Sequence, residues 1–210
     1  MSKEAWVFIS GGLFYIIFGV YFIYELIYKK IKNLKYKDEE WLPIVDENGN
    51  VKGKAPRSLC HKNKKLLHPV IHLHVINSKN QIFLQKRPMF KKVQPGKWDT
   101  AVGGHISIDE TLEEALKRET LEEIGISNFE AKFLTKYKWE SEIENELVFM
   151  FITKKEKIEN FNLNEIDDGK FWSINQIEIN LGKEIFTPNF EYEFDILLKR
   201  NILNIKLSAI

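Results

Sequence analysis

The sequence predicts an α/β (α+β) fold in one catalytic domain, preceded by a hydrophobic helix. Two observations predict the domain. From residue 68 onward, short runs rich in branched and aromatic residues are interleaved with segments of helical period, and the clearest of those segments follows a Gly-Gly break. A third observation sets the first helix apart: residues 5–24 (AWVFISGGLFYIIFGVYFIY) contain no charged side chain.

At 210 residues the chain has room for one well-packed domain and an appendage, and is short for two full domains. Apolar residues make up 44% and charged residues 29%, an ordinary globular composition that excludes a disordered or fibrous chain. Thirty-one Lys and Arg against thirty Asp and Glu leave a net charge of +1. No global field of the kind that draws nucleic acid is present, and no nucleic-acid partner is expected. The single cysteine, Cys60, rules out an internal disulfide and a cysteine-based zinc site.

As a helix, residues 5–24 would span roughly 30 Å, the thickness of a bilayer's hydrocarbon core. Trp6 stands near one end and Tyr21, Tyr24 and Tyr28 near the other, where amphipathic rings favour the headgroup region. Lys29, Lys30, Lys32, Lys35 and Lys37 follow the run, whereas Lys3 and the terminal amine are set against Glu4 before it. The positive-inside rule then puts the rest of the chain in the cytoplasm. The expectation is a single-pass membrane anchor over residues 1–28, in contact with the membrane through residues 5–28, a charged linker over 29–40 and the catalytic domain over 41–210. One rival is a cleaved signal peptide, disfavoured by the long apolar run, the basic residues after it and the lack of an A-x-A-like site. The other is a hydrophobic helix of a cytoplasmic protein, packed on the domain or on a second subunit, for which Gly11, Gly12 and Gly19 would allow close approach. Nothing in the sequence specifies an oligomer.

Within the domain, residues 41–54 hold two short extended runs around Glu47, Asn48, Gly49 and Asn50, a turn-rich centre that reads as a hairpin. Residues 68–76 alternate and are rich in branched side chains, and residues 81–85 follow a turn at Ser78, Lys79 and Asn80; both read as strands. Residues 97–104 are extended and end at Gly103 and Gly104. Residues 110–124 form the clearest helix. Further strands are expected at 132–139, 147–153 and 170–172, and a closing helix from about residue 190 to 200. Residues 201–210 are left unassigned.

The helix after the glycine pair carries the chemistry. Leu112, Leu116, Thr120 and Ile124 recur every four residues and make a stripe that faces a core. Glu119, Glu122 and Glu123 stand at i, i+3 and i+4, so their carboxylates converge on an adjacent face. By spacing alone such a cluster is more often a solvated acidic face. The same spacing also suits a hard divalent cation, which takes oxygen ligands and keeps open positions for substrate phosphates.

The whole string decides between them. Residues 104–126 (GHISIDETLEEALKRETLEEIGI) resemble the Nudix box position by position, with Gly104, Glu110, Arg118, Glu119, Glu122, Glu123, Gly125 and Ile126 in place and Thr120 where the family has an aliphatic residue. The resemblance implies the Nudix fold, a mixed β-sheet between helices, and Mg²⁺- or Mn²⁺-dependent attack of water on a diphosphate linkage in a small-molecule substrate. It makes Glu119, Glu122 and Glu123 both metal ligands and catalytic carboxylates, with Arg118 orienting them. Gly103 and Gly104 would let backbone approach metal or phosphate with no side chain in the way.

Other segments (APRSLCHKNKKLLHPVIHLHV, LQKRPMFKKVQPGKWDTAVGGH and ENELVFMF) resemble the branch of Nudix proteins that includes isopentenyl-diphosphate isomerase. That resemblance implies a separate metal site at His61, His68, His105, Glu144 and Glu146, with Glu146 also a candidate general base, and diphosphate contacts at Arg57, Arg87 and Lys91. Two departures weigh against isomerisation. Gly103 stands where the isomerase needs a cysteine, and Asn189 stands where its cation-stabilising Trp aligns. The expectation is therefore a hydrolase of a nucleoside-diphosphate-linked or other organic diphosphate. An isopentenyl-diphosphate isomerase-like enzyme and a non-catalytic nucleotide-binding module are the alternatives. His72 and His74, which alternate on one strand face, are read as structural.

Overall fold

The computed structural model describes residues 3–203, without the side chains of residues 3–11 and 32–33. Residues 1–2 of the expected anchor, the Trp6 side chain and the unassigned stretch 204–210 lie outside the described residues. The chain divides into two units, Met1–Glu40 and Trp41–Ile210.

In the first unit, helix α1 runs over Lys3–Lys35, about 50 Å at the usual rise per residue. It continues beyond the apolar run and through the basic cluster. Rings four residues apart meet along it: Phe14 stacks on Phe18 at 6.5 Å and Tyr24 on Tyr28 at 6.1 Å. The stretch Gly12–Ile31 is 20 residues long and apolar enough to cross a membrane, and none of it is buried. Leu13, Phe14, Tyr15, Ile16 and Ile17 are all exposed in succession, so over these residues the apolar surface runs right round the helix.

The second unit opens with a hairpin, β1 (Trp41–Val45) against β2 (Val51–Pro56). Its turn is organised by Asp46, whose carboxylate accepts from the Asn48 and Asn50 amides at 3.0 and 2.9 Å. A short helix α2 (Arg57–Cys60) follows. The main sheet is mixed. Its centre is β3 (His68–Ile76), parallel to β8 (Asn145–Lys154) and antiparallel to β4 (Ile82–Lys86) and β6 (Val102–His105). β7 (Lys132–Glu140) flanks β8, and both β5 (Trp98–Asp99) and β9 (Asp168–Trp172) pair with β4. The extended stretch 97–104 thus forms two short strands, because residues 100–101 lie outside either ladder.

Every residue of β3 is buried, as expected of a central strand covered on both faces. Its alternation then assigns the faces. Ile71, Leu73 and Val75 pack with Ala115, Leu116 and Ile124 of α3 (Leu112–Ile124). On the other face, Ile76 joins the core built by Ile177 of α4 (Ile174–Asn180) and by Phe190, Phe194 and Leu197 of α5 (Pro188–Lys199). α3 starts two residues later than its pattern suggests. Thr111 caps it, accepting from the Glu114 amide at 3.2 Å while the Glu114 carboxylate accepts from the Thr111 amide at 2.8 Å. It stops at Gly125 in the left-handed conformation (φ 68°), where any side chain would run into the Asn160 carbonyl. Thr120, the departure from the aliphatic position of the box, is fully buried and donates its hydroxyl to the Leu116 carbonyl at 2.6 Å. A hydroxyl satisfied within its own helix is tolerated in a core.

Candidate active site

Strand β6 delivers two consecutive glycines to the start of the acidic helix, and their missing side chains leave room on opposite sides. A Cβ on Gly104 would collide with the Glu119 carboxylate. A Cβ on Gly103 would point the other way, 3.5 Å from the His72 ring. Gly104 is therefore what lets Glu119 close onto the strand, while Gly103 contributes its amide to Glu123.

Arg118 knits this corner together. Its Nε and one terminal nitrogen donate to both oxygens of Glu110, at 2.7 and 2.9 Å, a two-pronged pairing that fixes the guanidinium plane. The same terminal nitrogen donates to the His105 carbonyl at 3.0 Å, and the other reaches Glu119 at 2.7 Å and Glu122 at 3.2 Å. One cation thus ties the loop, the strand and two carboxylates into a single geometry. Glu110 is itself held by the Ser107 amide at 2.9 Å, and Arg118 keeps its carboxyl below the usual range.

Glu123 is the buried member. Its Oε2 accepts from the Gly103 amide at 3.1 Å and from Gln85 at 3.0 Å. Burial, reinforced by the neighbouring Glu119 charge, still pushes its carboxyl up to about 8. Glu122 lies at the mouth, with half its side chain exposed. A buried acid pushed up beside two further carboxylates has the donor set and the unbalanced charge that suit a hard divalent cation.

A second cluster gathers at the ends of β3, β6 and β8. Among the described residues, one side-chain nitrogen from each of His61, His68 and His105 lies within 4.8 Å of the other two. His61 Nε2 is 3.1 Å from His105 Nε2, so the facing nitrogens share either one proton or one cation. His68 Nδ1 lies 3.0 Å from the Leu66 carbonyl, and its buried Nε2 has no partner among the described residues. Burial, with the nearby Arg57 charge, lowers all three imidazoles and brings His61 down to about 4. Neutral rings with free lone pairs are what a metal requires. Glu144 Oε1 stands 3.3 Å from His61 Nδ1, and Glu146 pairs with His68 in the sheet register. Burial and the adjacent Glu144 charge push Glu146 up to about 7.

The structure therefore gathers Glu119, Glu122, Glu123, Arg118, Gly103 and Gly104 in one corner, and His61, His68, His105 and Glu144 in another. The basic residues are more occupied than the sequence suggests. Arg87 donates to Asp99 at 3.0 Å and to the Val93 carbonyl at 3.1 Å, and Lys91 reaches Glu165 at 2.9 Å. Arg57 opens α2, with its charge felt by all three imidazoles. Gln85 and Glu193 are contributors that sequence reasoning missed. Gln85 carries no signal along its strand, and Glu193 lies 119 and 121 residues from the histidines it holds.

Comparison with known proteins agrees with this architecture. The NUDIX domain family model matches residues 66–190. Isopentenyl-diphosphate Delta-isomerase 1 of Photorhabdus laumondii is 31% identical over 166 residues, covering 75% of this chain and 94% of the isomerase. An uncharacterized Nudix hydrolase of Listeria monocytogenes is 32% identical over 162 residues, covering 72% of this chain and 90% of its own. Among solved structures, DR0079 of Deinococcus radiodurans shares the fold with a TM-score of 0.64 at 22% identity, covering 75% of this chain and 98% of that one. The MutT protein of Methanosarcina mazei does so at 0.54 and 23% identity, covering 64% and 95%. With the family match spanning more than half its length, the chain belongs to the Nudix family, in the branch that isopentenyl-diphosphate isomerases share with Nudix hydrolases.

Proposed function

We propose that the chain is a diphosphate hydrolase that uses Mg²⁺ or Mn²⁺ held by Glu119, Glu122 and Glu123 to cleave a nucleoside-diphosphate-linked or other organic diphosphate. The observation that carries this reading is the closure of an intact set of carboxylates onto Gly103 and Gly104, locked by Arg118. A bound cation supplies charge neutralisation at the diphosphate and a lowered pKa for water. The chain's own residues do the rest. Arg118 fixes the carboxylates before substrate arrives, so no reorganisation is needed during the reaction. Glu146, buried and near neutrality in its proton affinity, is suited to take a proton from water and pass it on. Arg57, Arg87 and Lys91 line the approach for the diphosphate; Asp99 and Glu165 hold the last two extended until an anion competes for them.

The orphaned His68 Nε2 and the neutral His61 and His105 fit a second cation, completed by Glu144 and Glu146. The same five residues support an isomerase-like reading. Gly103 offers no thiol, and the Asn189 side-chain amide, 2.7 Å from the Tyr137 hydroxyl, offers no aromatic face to a cation, which favours hydrolysis. Helix α1, apolar on every face, anchors the enzyme to a membrane, with the basic residues that follow placing the catalytic unit on the cytoplasmic side.

Assay of the full-length, detergent-solubilised protein for phosphate or phosphomonoester release tests the reading. Activity should require a divalent cation, disappear with chelator and fall by at least about a hundredfold in Glu122→Gln. Equal activity in that variant would remove the carboxylates from the mechanism.

A further inference from the structure

The three most exposed large apolar side chains described in the catalytic unit gather on one rim of it. Met89 and Phe90, each 71% exposed, stand side by side at the tip of the loop between β4 and β5, and Leu163, 70% exposed, lies two residues before Glu165. Lys91 reaches Glu165 at 2.9 Å and so ties the two loops together. The loop that carries the tip is braced. Arg87 donates its amide to the Lys97 carbonyl at 2.9 Å and accepts from the Gly96 amide at 3.0 Å, while its Nε donates to the Val93 carbonyl at 3.1 Å. The Lys91 amide closes a turn onto the Pro88 carbonyl, also at 3.1 Å. These main-chain groups are satisfied within the loop, so moving the tip into an apolar phase leaves them paired.

Lysines surround the tip. Residues 86–97 hold five basic side chains and no acidic one. Lys92 and Lys97 make no ion pair among the described residues, and neither do Lys62, Lys64 and Lys65 on the loop before β3. That loop borders the same rim, since Lys92 is among the charges that bear on His61 at its start. Glu165, the acid brought to the tip, is already neutralised by Lys91. A rim that only drew a soluble anion would need the lysines alone. Exposed Phe, Met and Leu side chains among them carry a cost in water that an apolar phase removes. Apolar tips ringed by cations match the interface of an anionic bilayer, which offers hydrocarbon just below a layer of negative charge.

We infer that this rim docks on the surface of an anionic phospholipid bilayer, with Met89, Phe90 and Leu163 entering the interface and the lysines meeting the lipid headgroups. The inference rests on the reading of α1 as a membrane anchor and adds a second contact to it. Residues 36–40 alone connect α1 to β1, so an inserted α1 keeps the rim at high effective concentration near the bilayer. Three apolar side chains and a few lysines hold a protein on a membrane only marginally by themselves, and stable attachment takes both signals together.

The test is fluorescence of the full-length protein reconstituted into vesicles and recovered by flotation. Met89→Cys is labelled with bimane; Cys60 is buried, and burial pushes its thiol up to about 11, which keeps it out of the labelling. Lys79→Cys, on the exposed turn at the opposite end of β4, carries the same label as the control. In vesicles containing phosphatidylserine, lipid spin-labelled near the headgroup should quench the probe at residue 89 at least about twofold more than the probe at residue 79. Pure phosphatidylcholine or high salt should shrink that difference. Adding Phe90→Asp or Lys92→Glu, both at exposed positions, should bring residue 89 down to the control. Equal quenching at 89 and 79 in protein that floats with the vesicles would overturn the docking and leave the anchor standing. Quenching at 89 that ignores headgroup charge and both substitutions would overturn the docking as well. Protein that does not float would overturn the anchor reading, and the docking with it.

Discussion

Glu123 and Glu146 carry the electrostatic load of the site, and their protonation makes it measurable. Both are held above the ordinary value of 4.5, at about 8 and about 7, chiefly by burial and then by Glu119 and Glu144 respectively. Across that interval the folded protein retains protons that the unfolded chain has released, so stability from this source is full below 4.5 and is lost as pH rises through 7 and 8. Below about pH 6.5 the lowered imidazoles of His61, His68 and His105 oppose this loss, so without divalent cation the thermal midpoint should fall between about pH 7 and about pH 9. Mg²⁺ should flatten that slope and release protons on binding, measurable by calorimetry in two buffers of different ionisation enthalpy. A midpoint that rises over the same range in chelator would show that these carboxyls are not held protonated. Arg118 acts at the same scale through geometry. Arg118→Lys keeps the charge but loses the two-pronged grip on Glu110 and the reach to Glu119, and should lower kcat by about tenfold to a hundredfold with KM little changed.

At the level of elements, the acidic helix and the strand before it form one device. Thr111→Ala removes the cap and should cost about 1 kcal/mol in denaturant unfolding, with the remaining helix and its activity kept. Gly104→Ala should do the reverse. The collision falls on the Glu119 carboxylate rather than on backbone, so the side chain gives way: activity should drop by at least about tenfold while the thermal midpoint moves by only a few degrees. Much of this device is legible in the sequence, because Leu116, Thr120 and Ile124 repeat at helical period and the box residues lie within one short segment. The hairpin and the central strand are legible for the same reason, since a turn centred on Gly49 and a run of branched residues are local signals. The short helices are not. α2 is a single turn, too short for any periodicity. α4 did carry a readable mark, the capping box between Ser173 and Gln176, but its seven residues bury only Ile177. The His72–Glu193 contact lay beyond sequence reasoning because the partners meet only when β3 and α5 pack on each other.

At the scale of the whole molecule, the two units ask different questions. Helix α1 exposes Phe14, Ile17, Phe18, Tyr21 and Ile23, and such a surface favours an apolar environment. Deleting residues 1–36 should move the protein from the membrane pellet to the soluble fraction after ultracentrifugation; a truncated protein that stays in the pellet would place the anchor elsewhere. The catalytic unit combines a complete set of box carboxylates with a histidine cluster that its isomerase relatives' branch also carries by resemblance, so the central question is whether water or a proton is delivered to the substrate. Phosphorus NMR of the full-length protein in ¹⁸O-enriched water, with Mg²⁺ and with ADP-ribose and isopentenyl diphosphate offered separately, answers it directly. Hydrolysis gives a phosphorus product carrying one ¹⁸O per turnover, absent in Glu122→Gln. Isopentenyl diphosphate converted to its isomer, with the diphosphate intact and no ¹⁸O incorporated, would contradict it.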